Sequence, residues 1–170
     1  MNIEMDLSVK SVEKAIKQLE QYKKELIKKN NLFVERLAEA GVLVIDKNMR
    51  IGIGDSERAH STTIQVTSVG NTVEGKLILE GEDILFWEFG AGIHFNAGEG
   101  NPKAKEFGMG PGTYPGQTQA IIPGYWFYYD EDGNKHFSRG TEATMPMYKA
   151  SLEIIEKVNQ IAREVFGSGK

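Results

Sequence analysis

Three histidines, His60, His94 and His136, are the residues of this 170-residue chain with the widest chemical range, because imidazole both ligates zinc and moves protons near neutral pH. A zinc site wants them clustered with a carboxylate, and no His-x-x-x-His or similar pair occurs. Glu88 and His94 lie close in sequence and would meet His136 only through the fold. Each histidine therefore reads as a structural or surface residue, and neither a metal nor a cofactor is expected. Two glycine patterns, Gly52-x-Gly54 and Gly108-x-Gly110-x-Gly112, lack the strand–loop–helix context that lets backbone amides cradle a phosphate. No Gly-x-Ser-x-Gly elbow is present to present a nucleophile. The carboxylate groups Glu80/Glu82/Asp83 and Asp130/Glu131/Asp132 fall in turn-forming stretches, where nothing would desolvate an acid and raise its pKa. The residues thus offer no catalytic constellation, and the chain reads as a non-enzyme.

Composition narrows the remaining classes. The chain has no cysteine, which excludes disulfides and thiolate metal sites. Its apolar runs are short, as at residues 42–45 and 84–87, so no membrane span is expected, and the N-terminus lacks a signal-peptide layout. Net charge is −4, unevenly spread. Between Lys10 and Arg36 eight basic residues stand against four acidic ones, a net +4 that leaves −8 on the rest of the chain. A basic helix on an acidic body is either a solvated face or a docking device for protein or nucleic acid.

The elements that would position these groups follow from periodicity. Ser8 can cap a helix in which Val9, Val12, Ile16, Leu19, Leu26, Phe33 and Leu37 form one stripe at alternating three- and four-residue steps. Lys23 and Asn30 interrupt that stripe, which argues against a self-sufficient coiled coil. The helix is read over residues of about 8–40. For residues 41–50 pattern favours helix and the β-branched run favours strand, with the balance toward helix. Residues 63–69 and 72–79 read as a hairpin around Gly70-Asn71, with Ile64, Val66 and Ser68 sharing a face, as do Val73, Gly75, Leu77 and Leu79. A second hairpin is expected at 125–130 and 135–138. A last helix spans about 145–166, with Pro146 in its first turn. No internal repeat or domain boundary appears. The expectation is a single α+β domain over 1–170, with a small antiparallel sheet and loop over about 61–139 between the two helices.

The stretch from Phe89 to Gly124 is the least regular. Up to Gly116 it holds eight glycines and three of the five prolines, and a long Gly/Pro-rich loop of this kind is where a partner would touch the molecule. Aromatic residues flank it: Phe86, Trp87 and Phe89 before, Tyr125, Trp126, Phe127, Tyr128 and Tyr129 after. They read as a core anchoring both ends of the loop, in preference to a nucleic-acid stacking groove, since phosphates would be repelled by an acidic body.

Four segments in this order carry a resemblance. Phe86-Trp87-Glu88-Phe89-Gly90-Ala91-Gly92 resembles the EFGTG signature of a family of small minor tail components of long-tailed bacteriophages, also described as tail-completion or head–tail joining proteins. Ala91 stands where that family usually has Thr. Asn101-Pro102 is similar to the Asn-Pro of the family's glycine-rich loop, and Gly124-Tyr125-Trp126-Phe127-Tyr128 to its aromatic strand. Residues 138–150, with Arg139, Gly140 and Pro146, resemble its segment leading into the last helix. The resemblance implies a virion protein of the neck or tail, assembled from the host cytoplasm as a ring of identical copies. Its implied partners are connector or stopper proteins and tail-tube proteins, with DNA entering only as it passes through the assembled channel. Its implied assembly candidates are Glu88, Phe89, Gly90, Gly92, Asn101, Pro102, Trp126, Arg139, Gly140 and Pro146. The lesser alternatives are a nucleic-acid-binding accessory protein and a small metal-assisted enzyme using Glu88, His94 and His136.

Overall fold

The computed structural model describes residues 4, 6, 8–53, 60–81, 83–91, 100–109, 126–129, 132–138 and 140–167, and of residues 51–53, 126 and 128 the backbone alone. Most of the Gly/Pro-rich loop, with Gly92, and also His94 and Arg139, lie outside the described residues. The order is α1 (Val9–Ile53), β1 (His60–Val69), β2 (Thr72–Gly81), α2 (Ile84–Phe89), β3 (Trp126–Tyr129), β4 (Lys135–Ser138) and α3 (Pro146–Gly167). The architecture is α+β, with long N-terminal and C-terminal helices and small antiparallel pairings. Among the described residues no helix is long and apolar enough to cross a membrane.

Helix α1 is the spine. Ser8 caps it: its Oγ accepts the Ser11 amide at 3.3 Å, the third amide of the helix. Its 45 residues span about 67 Å at 1.5 Å per residue. The ambiguous residues 41–50 are helical throughout. Tertiary burial decides there against β propensity: Ile45 and Met49 are fully enclosed with Trp87 and Ala150, and Val44, Leu77, Leu79, Ile84 and Met147 pack around them. This core lies where α1, β2, α2 and the start of α3 meet. Helix α3 runs antiparallel along α1, from Lys149 beside Asn48 to Phe166, whose ring lies 5.6 Å from that of Phe33. Arg36 and Glu164 bridge the same end at 3.3 Å, exposed and so of minor energetic weight.

Hairpin β1–β2 lies across the same half of α1. Its register pairs Ile64 with Leu77, Val66 with Gly75 and Ser68 with Val73, which puts the expected apolar faces together. Gly70 has φ +61°, as the first position of a primed two-residue turn requires. Strands β3 and β4 form a second, separate two-stranded sheet. The expectation that the aromatic residues on both sides of the loop share one core is therefore corrected in part. Trp87 and Phe89 are buried, but Tyr129 and Phe137 are exposed. They lie with Phe127 on one face of this small sheet, under the Lys135 ammonium, which is 3.9 Å from the Phe127 ring centre. Strand alternation puts Phe127 and Tyr129 on one face, opposite Phe137 and Lys135 of the paired strand.

Two glycines allow the layers to approach. A Cβ at Gly41 would stand 2.9 Å from both Ile154 Cδ1 and Leu77 Cδ2, and one at Gly75 would stand 2.5 Å from Val34 Cγ1. Helix α1, helix α3 and β2 meet at Gly41, where a larger residue would have to push the ends of the Ile154 and Leu77 side chains aside. Gly41→Val is expected to destabilise the protein by about 2 kcal/mol through overpacking, read as a lower urea midpoint with an unchanged slope.

Candidate functional site

Sequence segments 86–91, 101–109 and 140–148 converge at one junction beside the core. Its centre is Glu88 on the short helix α2, a carboxylate buried to 7% exposure inside an apolar run. Helix α3 begins at Pro146, after Met145 at φ +56°. Proline suits the first helical position, and it disfavours a helical conformation for the residue before it. Met145 has no side-chain acceptor for the amides that open α3. Glu88 supplies it from another element: Oε2 accepts the Met147 amide at 2.8 Å, and Oε1 accepts the Tyr148 amide at 2.9 Å. These are the second and third amides of α3, the pair that an N-cap side chain ordinarily serves. The negative charge also faces the positive end of the helix dipole.

The second segment joins through Asn101. Its Nδ2 donates to Glu88 Oε1 at 2.6 Å, and its Oδ1 accepts the Lys103 amide at 2.8 Å, opening the turn that starts at Pro102. Phe107 at the far side of that turn packs on Phe89, ring centres 5.5 Å apart. The third segment joins through backbone. Trp87 O accepts the Thr144 and Met145 amides at 2.9 and 3.0 Å, while Ala91 and Thr141 exchange both amide bonds. Gly90 ends α2 at φ +76°, ψ 161°, a region only glycine occupies without strain, and donates its amide to Phe86 O. Gly140 is half-buried at φ +92° and donates to Ser138 Oγ.

Burial pushes the Glu88 carboxyl above its ordinary value; the donors Met147, Tyr148 and Asn101 and the nearby Lys149 ammonium pull against that without cancelling it. Lys149 is itself held by Asn48 Oδ1 at 3.0 Å, and Asn48 Nδ2 donates to Val44 O in the helical turn before it. Both Glu88 oxygens thus receive N–H donors from the chain itself. Among the described residues no three His, Asp or Glu side chains gather for a metal ion. His60 lies on β1, 4.0 Å from Asp46, and His136 is exposed on β4.

Of the residues singled out by sequence, Glu88, Phe89, Gly90, Asn101, Pro102, Gly140 and Pro146 meet here, with Pro146 fully buried. Trp126 is in β3, its side chain outside the described residues, as are Gly92 and Arg139 altogether. Sequence reasoning missed α2 as a helix and missed Asn48, Thr144 and Lys149. A usable signal existed: a lone Glu amid Phe and Trp, and a last helix with no capping residue before its proline. Compared with known proteins, the chain matches no family model, no curated protein and no solved structure.

Glu88→Ala leaves two helix amides without their acceptor and the Asn101 side-chain amide with only the backbone carbonyl of position 88, and is expected to cost roughly 2–4 kcal/mol. Because its folded pKa is raised, the stability that Glu88 adds is fully present below about 4.5 and declines as pH rises through the folded value. The gap between wild type and Glu88→Ala, measured by urea unfolding at several pH values, should therefore be widest in acid and narrow toward neutrality; a gap that widens instead would show the donors outweighing burial. Gly90→Ala is expected to lower stability by about 1–3 kcal/mol through backbone strain alone, with the far-ultraviolet spectrum unchanged.

Proposed function

We propose that this chain is a structural protein of a phage or prophage virion neck, serving tail completion or head–tail joining, and assembling by protein–protein contacts into a ring. The observation that carries the reading is the convergence just described. Three of the segments that resemble the tail-component family, far apart in sequence, meet at one junction, and their residues there form caps, turns and backbone clasps, while the aromatic strand lies in the separate β3–β4 sheet. Glu88, the buried ionisable side chain among the described residues, acts on helix α3 of its own chain and presents no free oxygen to a substrate. A framework of this kind suits a subunit whose work is to hold a shape, and argues for a non-enzyme. The uneven charge, +4 on the Lys10–Arg36 stretch and −8 elsewhere, suits head-to-tail contacts between copies, which close into a ring when the rotation allows. In this reading the protein gathers in the host cytoplasm and resides in the virion, between connector or stopper proteins and the tail tube.

Electron microscopy of an induced lysate with the gene disrupted tests the proposal. DNA-filled heads beside separate, unattached tails are expected. Intact infectious particles would remove the neck assignment.

A further inference from the structure

Strand β1 has an unguarded edge. Among the described residues it pairs with β2 alone, without a bulge. Residues flanking a two-residue turn exchange both amide bonds, so the alternate residues Thr62, Ile64, Val66 and Ser68 turn their amides and carbonyls to the outer edge. None of these groups meets a further backbone partner among the described residues. Residues 61–69 hold no charge, proline or glycine, whereas β2 carries Glu74, Lys76 and Glu80. Charges, prolines and bulges are what ordinarily keep an edge from taking another strand.

Helix α1 lies lengthwise over this hairpin and touches both strands. Asn31 meets Ser68 at 2.6 Å, and Asp46 lies 4.0 Å from His60 at the other end of β1. Helix α3 and β2 meet α1 on its other side, at Gly41. The flank next round α1 beyond β1 carries Leu32 and Leu43, 41% and 72% exposed. These leucines belong to a stripe at three- and four-residue steps that is complementary to its own reverse. Antiparallel pairing of two such stripes sets Leu32 against Leu43, Glu25 against Arg50, Lys29 against Asp46 and Arg36 against Glu39. Arg36 and Asp46 also touch Glu164 and His60 within the chain, so the Leu32–Leu43 and Glu25–Arg50 contacts carry the most weight.

Strand and helix point to the same occupant. The helix pairing is centred between residues 37 and 38, and the Asn31–Ser68 and Asp46–His60 contacts place that centre over Ile64 to within about 2 Å. A two-fold at Ile64 pairs β1 with itself and sets Thr63 opposite Gln65, with no charges opposed. Strands stack at about 4.8 Å, so two α1 helices, each over its own hairpin, stand about 10 Å apart, the distance at which helices pack. We propose that β1 pairs antiparallel with β1 of a second copy of this chain, closing a four-stranded sheet beneath an antiparallel α1 pair. The contact is isologous and stops at two copies. It goes beyond the neck reading, and it holds or fails in the purified protein.

The absence of cysteine makes the test clean. Thr63 and Gln65 are exposed, and across the two-fold they form a non-hydrogen-bonded pair, whose Cα separation of about 4.5 Å suits a disulfide. Full-length Thr63→Cys and Gln65→Cys, mixed and oxidised, are expected to cross-link to each other about tenfold faster than either does to itself, because like positions lie two residues out of step. Arg50→Glu should weaken dimerisation about tenfold in sedimentation, and adding Glu25→Arg to the same chain should restore it. Dimers that form without the 63–65 cross-link would overturn the proposal. So would Thr63→Cys joining Glu74→Cys of another copy in preference, because β1 would then add to β2 and the contact would propagate. A chain that stays monomeric up to the order of 1 mM would overturn it outright.

Discussion

A helix that begins on a proline, after a left-handed methionine, has no side chain of its own to satisfy its first amides. In water those amides would be hydrated; half-buried at a junction, they need an acceptor from elsewhere. Glu88 is that acceptor, and its position explains much of the surrounding geometry. Helix α2 has to lie against the start of α3 for the carboxylate to reach Met147 and Tyr148. Asn101 has to fold back on Glu88, which sets the turn after Pro102. Trp87 O, one residue before, takes the two amides that lead into Met145 and so stabilises its unusual φ. Desolvating a carboxylate here is costly, and three N–H donors offset part of that cost.

The second constraint is close approach. Helix α1 supports α3 on one side and the hairpin on another, and Gly41 and Gly75 are where side chains would otherwise hold these layers apart. The polar link Val44–Asn48–Lys149 runs beside the core and fixes the register of α3 on α1 without a gap in hydrogen bonding. Packing and polar contacts therefore specify the same arrangement, as a uniquely folded chain requires.

Much of this was legible in the residues. The β1–β2 register followed from alternation and from Gly70-Asn71, and the start of α1 followed from Ser8. The last helix followed from the spacing of Met147, Ala150, Ile154, Ile161 and Val165. Residues 41–50 were balanced between readings because Val42, Val44 and Ile45 prefer strands in isolation, and only burial against Trp87 and Ala150 tips them to helix. Helix α2 was illegible as a helix: six residues complete fewer than two turns and leave no period to detect. The motif residues were found by their types and order, but their shared role was not, because a cap given across 59 positions leaves no mark in local sequence.

The paired amide bonds between Ala91 and Thr141 have a consequence for the chain between them. They fasten the two ends of the long intervening stretch directly to each other, next to the Glu88 cap. Closing a longer chain between fixed ends costs only about 0.6 kcal/mol for each doubling of length. The Asn101 turn has to stay, because it completes the Glu88 cap, but a change of length between that turn and Thr141 carries only this small closure cost. An engineer could graft a foreign segment there for the same reason, with α1, α2 and α3 left undisturbed.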